Sequence, residues 1–444
     1  MNDANRQEAM PKDHPSGMKD VDNAPLPRRH EIDALRSIAL LLLIGYHVLC
    51  AFQPFAPLLQ IVGSPETLER AWVAGELMNT WRIPVLFLLA GITAGYLLCN
   101  RSVAGLLKSR LLRLVPPLLF TVFLVSPVSS LFFQFSQGDA LRYAPGPAHL
   151  WFVWNLVVYF VLAVPLFHYL KACPDNRLLR LLRVLPAHTW LPALAGVLAL
   201  VTVFLEPHIT PELFSAHFFR FWYGLACFLF GILLVSIGEG FWQGIRRVCH
   251  VALAGVLALY LLRMSGFDLG AGLGGAPGRL TALALESACG MIAFLGYGSL
   301  LFSRRSRGFA VLNRSVFAIY ILHFPVQQAI GVYLFPAGLP VWWTFALHLG
   351  GTLAVTVALS AMVLRWGHWL HPFLGIPPVT VEAPRDEPGV APATAAGRGW
   401  VAGAGRFATL YVVSPLIVIL TIVILVYTMM YPVLEQHGVI APGE

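Results

Sequence analysis

The sequence has little charge. Only 12% of its 444 residues are Asp, Glu, Lys or Arg, against roughly 25% in soluble domains, while 57% are hydrophobic. This composition predicts a polytopic membrane protein whose main partner is the lipid bilayer. The net charge of +8 would suit nucleic acid. However, the basic residues lie in short segments between apolar runs, which is typical of topology signals, so we expect no nucleic-acid partner.

The sequence also lacks cysteine patterns. It has six cysteines, none in a Cys-x-x-Cys pair and most in or beside apolar runs: Cys50, Cys99, Cys173, Cys227, Cys249 and Cys289. Cysteines placed in this way predict neither a metal site nor a disulfide framework.

Long apolar runs are abundant. Ten of them predict membrane spans at 32–52, 79–99, 111–133, 149–170, 190–206, 217–237, 248–263, 281–302, 316–335 and 340–366, and an eleventh lies at 408–431. Helices satisfy their own backbone groups in lipid, so we predict an all-α bundle of ten transmembrane helices plus one extra C-terminal transmembrane helix.

The polar segments divide the chain further. We predict that residues 1–29 form a disordered cytoplasmic tail and that residues 30–370 form the ten-helix domain. Residues 371–407 are predicted to form a flexible Pro-bearing cytoplasmic linker, and residues 432–444 a C-terminal tail. The loops after even-numbered spans hold most of the loop arginines and lysines. This asymmetry predicts a cytoplasmic N-terminus and a C-terminus outside.

The first span carries Asp33, Arg36 and His47 in an otherwise apolar helix. Arg36 and His47 are eleven residues apart, which is about 20° beyond three turns and about 16 Å along the axis. Each residue alone has an ordinary interpretation, since His hydrogen-bonds to neighbouring helices and Arg extends to headgroups. The pair on one face instead favours a functional polar path into the membrane.

Other segments add polar groups, Arg110 and Arg113 in a cytoplasmic segment and Glu286 at membrane depth. Arg110 and Arg113 are three residues apart on one helix face; they are either a topology signal or a phosphate site, since the planar guanidinium suits phosphate. Glu286, within the eighth span, needs a partner or a neutralising proton. It is either a substrate group or a structural group paired with an Arg of another helix. The Gly91 and Gly95 spacing predicts close helix packing.

Aromatic and histidine motifs open the fourth span and lie within the ninth. His149 and Trp151 belong to His-Leu-Trp-Phe, and His323 belongs to Tyr-x-x-His-x-Pro. An interfacial aromatic belt explains Trp151 but not His149. Taken alone, His323 is explained by hydrogen bonding within the bundle.

Together these motifs resemble acyltransferase family 3, whose members O-acylate glycans and lipids in bacterial envelopes. The resemblance rests on Asp-Ala-Leu-Arg with a histidine eleven residues after the Arg, Arg82-Ile-Pro84, Arg-x-x-Arg before Pro116, and the two histidine motifs. Ala90 departs from the pattern, because Ser is common there. Some of these features are similar to the glucan-modifying branch, which adds succinyl groups.

The resemblance implies an O-acyltransferase of the bacterial inner membrane. It would use cytoplasmic acyl-CoA as donor, with no permanently bound cofactor, and add an acetyl or succinyl group to a glycan or glycolipid. The implied catalytic residues are Arg36, His47 and His323. The implied substrate-binding residues are Asp33, Arg110, Arg113, His149, Trp151 and Glu286.

In this interpretation His47 is the general base or a transient acyl carrier, because a sugar hydroxyl is almost fully protonated at neutral pH. Arg36, Arg110 and Arg113 bind the phosphates of coenzyme A or orient the thioester. The alternatives are a transporter or flippase, in which the same residues line a substrate path, and a scaffold in which His47 is dispensable.

Overall fold

The computed structural model describes residues 29–173, 176–184, 189–205, 218–235, 237–267, 275–303 and 307–377, and within these ranges the chain is helical without strands. The α-helices are α1 His30–Cys50, α2 Glu69–Asn79, α3 Arg82–Asn100, α4 Val103–Phe120, α5 Ser126–Gln137, α6 Trp151–Leu162, α7 Val164–Ala172, α8 Arg177–Val184, α9 Trp190–Leu205, α10 Phe218–Val235, α11 Glu239–Met264, α12 Ala276–Leu301, α13 Arg307–Leu334 and α14 Val341–Trp366. The all-α prediction is confirmed.

Within the described ranges, seven stretches are long and apolar enough to cross a membrane, so the chain is a multi-pass membrane protein. The pair α6 and α7, bent by 45°, makes an eighth if it is one span, and α9 and α10 are shorter. With 16 residues, α9 reaches about 24 Å of a hydrocarbon core of roughly 30 Å. Each of the ten predicted runs overlaps a helix, but the count of ten crossings is not confirmed. The predicted eleventh span lies outside the described residues, as do positions 1–28.

The third predicted span is longer and more irregular than expected. It runs from Val103 to Gln137, and it contains Pro116 and Pro117 followed by a π-helical turn over Thr121–Val125. Prolines remove backbone donors, which explains a change of helix type at this point. Because α4 begins at Val103, capped by the Ser102 hydroxyl, Arg110 and Arg113 lie within a helix.

Glycines bring α3 and α10 into backbone contact. A Cβ atom at Gly91 would lie 2.0 Å from the backbone oxygen of Phe228, and one at Gly231 would lie 2.3 Å from that of Leu88. At Gly95 it would lie 2.9 Å from Val235 Cγ2. The predicted close packing at Gly91 and Gly95 is confirmed.

The central helix is α1, which packs against α3, α12, α13 and α14. After the end of α14, the described part of the predicted linker packs onto the bundle. There Leu374 and Ile376 are buried, and Phe373 contacts Phe120 of α4. The packed domain therefore extends to at least Ile376, while the linker from 378 onward lies outside the described residues.

Candidate functional site

Three arginines meet at a cavity. Arg36 of α1 lines a cavity of about 90 Å³ together with Arg110 and Arg113 of α4. Arg36 also donates a hydrogen bond of 3.1 Å to Asp33, one turn earlier on α1. The structure thus brings together four predicted site residues that lie in two separate segments of the sequence.

The rest of the cavity is largely apolar. Its other walls come from α1, α3, α4, α6 and α13, and the lining residues include Leu40, Leu86, Ala90, Phe152, Phe160 and Phe317. Asn313 also lines it, and its Oδ1 is buried without a hydrogen-bond partner in the described part of the chain, as is the Nε of Arg110. Buried polar atoms are normally satisfied. A cavity with cationic and unsatisfied groups on apolar walls therefore suits an anionic ligand with an apolar arm.

His47 and His323 form a hydrogen-bonded pair. His47 Nδ1 lies 3.0 Å from His323 Nε2, and His323 Nδ1 lies 2.6 Å from the backbone oxygen of Tyr320. A carbonyl only accepts, so His323 Nδ1 carries a proton. When both rings are neutral, His323 Nε2 therefore accepts from His47 Nδ1. This tautomer leaves a free lone pair on Nε2 of His47, and a general base needs such a lone pair to accept a proton.

His149 lies against this pair. Its ring stacks on Phe324 with centroids 4.7 Å apart and meets His323 edge-on at 5.1 Å. The Tyr320 hydroxyl donates to its backbone oxygen at 2.5 Å, while neither ring nitrogen has a hydrogen-bond partner among the described residues. The preceding Ala148 has φ of 40°, a strained value of the kind found at functional sites. His149 is thus held by its backbone, with both ring nitrogens unsatisfied.

Arg82 is a site candidate that the sequence interpretation missed. It is buried, with 4% of its surface exposed, and its Cζ lies 3.3 Å from the ring centroid of Tyr46, the neighbour of His47. Its Nε and Nη1 have no hydrogen-bond partner within the described ranges. Burying a cation without such partners is costly, so this guanidinium suits a ligand oxygen. The available signal was the Arg82-Ile-Pro84 motif, which contributed to the family resemblance but was given no role in the site.

The cavity and the histidines lie along the same helices. Leu40 lines the cavity, and His47 follows seven residues later on α1, about 10 Å farther along the axis. Likewise, Phe317 in the cavity wall precedes His323 on α13 by six residues, about 9 Å. The cavity and the histidine pair therefore lie along the same two helices, α1 and α13, and we call the two together the column.

Glu286 lies apart from this column. Arg263 of α11 binds Glu286 at 3.0 Å and Glu76 at 2.7 Å, and Thr80 Oγ1 donates to Glu286. Of the two alternatives for Glu286, structural pairing with an Arg of another helix is the one observed. Trp151 packs edge-on against Phe87 of α3, with centroids 6.4 Å apart. Substrate roles for these two residues stay predictions.

The fold and the site define a multi-pass membrane protein with a polar centre inside its helical bundle. The family model described as Acyltransferase domain, of acyltransferase family 3, matches residues 29–364, which include all of the site residues named above. The chain therefore belongs to acyltransferase family 3 and is a membrane acyltransferase. No curated protein and no solved structure matches the chain.

Proposed function

We propose that this protein is an O-acyltransferase of the bacterial inner membrane. It transfers an acyl group, acetyl or succinyl, from cytoplasmic acyl-CoA to a hydroxyl of an envelope glycan or glycolipid. The observation that carries the proposal is the column formed by the arginine cavity and the His47–His323 pair. A donor with a phosphorylated head and a thioester at the end of a flexible arm suits a cationic cavity that lies along the same two helices as a base.

The arginine cavity supports binding of the donor. Coenzyme A carries a pyrophosphate and a 3′-phosphate, and guanidinium groups bind phosphate through parallel charge-assisted hydrogen bonds. Arg36, Arg110 and Arg113 supply three such groups around one cavity. The apolar walls accommodate the arm of the donor, which extends from these arginines toward His47.

The histidine pair supports the chemical step. His47 Nε2 removes the proton of the acceptor hydroxyl, whose oxygen then attacks the thioester carbon. The C–S bond breaks, and the leaving sulfur takes up a proton, giving an ester and free coenzyme A. His323, fixed by the Tyr320 carbonyl, holds His47 in the required tautomer. In the variant with a transient acyl carrier, the same Nε2 of His47 is the nucleophile.

Arg82 complements this step. Attack on a thioester places negative charge on its carbonyl oxygen, and donors already aimed at that oxygen lower the barrier. Arg82 offers buried donors beside Tyr46 and therefore beside His47. In this proposal His149 contacts the acceptor, since its ring meets that of His323 edge-on.

The test uses the full chain in lipid nanodiscs with acetyl-CoA or succinyl-CoA and an envelope-type oligosaccharide. Release of free thiol and the mass of the acceptor are measured together. We expect equal amounts of thiol and acylated glycan from the wild type and neither from His47→Gln. A transporter or flippase would release no thiol, and a scaffold would be unaffected by the substitution.

A further inference from the structure

The buried face of α14 is polar. Its buried residues are mostly polar and follow one another at intervals of four: Thr344, His348, Thr352, Thr356 and Ser360. Residues at this spacing lie on one face of a helix. Large apolar residues such as Leu347 and Val355 are exposed instead. Because α14 packs against α13 and α1, it presents this polar face to the two helices that carry His323 and His47.

Two hydrogen bonds connect this face to His47. Gln327 lies one turn after His323 on α13, and its Nε2 donates to the backbone oxygen of His47 at 2.9 Å. His348 Nε2 in turn lies 3.0 Å from the backbone oxygen of Gln327, to which it donates. Side chains that bond to carbonyls of other helices hold membrane helices together. Here they connect α14, α13 and α1 at the level of His47.

Three atoms of this group are unsatisfied. Gln327 Oε1, His348 Nδ1 and Thr352 Oγ1 are buried without a hydrogen-bond partner among the described residues. Since His348 Nε2 donates to a carbonyl, the neutral ring has its lone pair on Nδ1, so Gln327 and His348 each offer an acceptor. The Thr352 hydroxyl both donates and accepts. One water molecule between α13 and α14 that donated twice and accepted once would satisfy all three, and buried waters typically make about three such bonds.

We propose that Gln327, His348 and Thr352 hold a buried water between α13 and α14, and that this water orients the Gln327 amide that positions His47. The inference rests on the proposed function, because it assigns positioning residues to the proposed base. With Oε1 bound to the water, the amide nitrogen faces the His47 carbonyl. The backbone bond then fixes the height of α1 against α13, on which the 3.0 Å contact between His47 and His323 depends.

The first test compares variants along one helix face. Thr352→Val removes the hydroxyl but keeps the shape, so we expect kcat to fall about fivefold to tenfold, the value of one hydrogen bond. Thr352→Ser should restore kcat to within about twofold. The matched control is Thr356→Val, because the Thr356 hydroxyl already bonds to the backbone oxygen of Thr352. KM for acyl-CoA should stay constant, since the arginine cavity is untouched.

Gln327→Met removes both side-chain bonds while keeping the volume. A displacement of about 1 Å can cost about 10²-fold in rate, and we expect kcat to fall by that order with KM unchanged. The control is Gln328→Met, since Gln328 bonds to Val62 and Gln60 of the loop after α1 rather than to His47. A fall only in KM, or equal losses in Thr352→Val and Thr356→Val, would overturn the proposal.

A second measurement does not depend on activity. X-ray radiolysis labels buried side chains that adjoin an ordered water. We expect label on His348 in the wild type and in Thr356→Val, and little in Thr352→Val; an unlabelled His348 in the wild type overturns the water site. His47→Gln in the same assays separates the two proposals. If that variant stays active, the proposed base is wrong. If it is inactive while Gln327→Met is fully active, only the positioning inference fails.

Discussion

Arg263 and Arg82 are both held within the bundle, but their surroundings are opposite. Arg263 meets two carboxylates, Glu76 at 2.7 Å and Glu286 at 3.0 Å. Arg82 lies on the ring of Tyr46, and two of its three nitrogens have no partner among the described residues. In a medium where unpaired charge is costly, the paired arginine connects helices, whereas Arg82 has no carboxylate partner among the described residues and, under the proposed function, meets the substrate. Substitution of Arg82 should therefore lower activity, whereas substitution of Arg263 should lower stability.

The largest effect is expected for His47→Gln. Gln keeps much of the volume and can still hydrogen-bond to His323, but it cannot accept a proton near neutral pH. General acid–base catalysis contributes about 10²–10⁴-fold in rate, and we expect a loss of that size with normal membrane insertion. The measurement is acylated glycan per unit of inserted protein. If His47→Gln retains more than about a tenth of the wild-type product, the loss is smaller than that range implies. His47 would then be a packing residue.

Arg82→Gln should follow closely. Removing one donor to a developing oxyanion typically costs about 10²–10³-fold in kcat. The unfolding midpoint in detergent should stay the same or rise, because an incompletely paired buried charge is removed. Thiol release and thermal unfolding are measured on the same preparation. A lower unfolding midpoint with unchanged kcat would show that Arg82 has a structural role, as Arg263 has.

Arg263→Gln should show the reverse pattern. It leaves two carboxylates without their cation, and breaking a buried pair costs at least about 3 kcal/mol; a value at this lower end is expected because the Arg263 side chain retains 22% exposure. We expect a lower unfolding midpoint and nearly normal kcat in the protein that remains folded. The exposed Arg70 offers the control, since Arg70→Gln removes a charge on α2 without touching either carboxylate. Unchanged stability of Arg263→Gln contradicts its structural role.

The smallest effect is expected in the arginine cavity. Arg110→Ala and Arg113→Ala should each raise the KM for acyl-CoA about tenfold, the value of one hydrogen bond to a charged group, and leave the KM for the acceptor unchanged. Lys108→Ala, on the same helix but outside the cavity lining, should change neither constant. If the KM for acyl-CoA in the two single variants and in the double variant equals that of the wild type, these arginines are topology signals only.

The features that could be predicted from the sequence are those that depend on a single helix. The spacing of Arg36 and His47 requires only the helical repeat, and the apolar runs require only composition. The sequence could not predict the neighbours of Arg82 or Gln327, because their partners come from other helices whose relative height is set by packing. Glu286 shows the same limit: its need for a counter-charge was evident, but not that Arg263 provides it.

The glycine contact between α3 and α10 has a consequence for how the cavity can change in size. Two backbones that already touch cannot approach further, so α3, which brings Leu86 and Ala90 to the cavity, is a fixed wall. The α4 wall has two prolines followed by a π-helical turn, and helices kink at such segments. Under the proposed function, selection for a bulkier or smaller acyl donor would therefore act on residues of α4 and leave α3 unchanged.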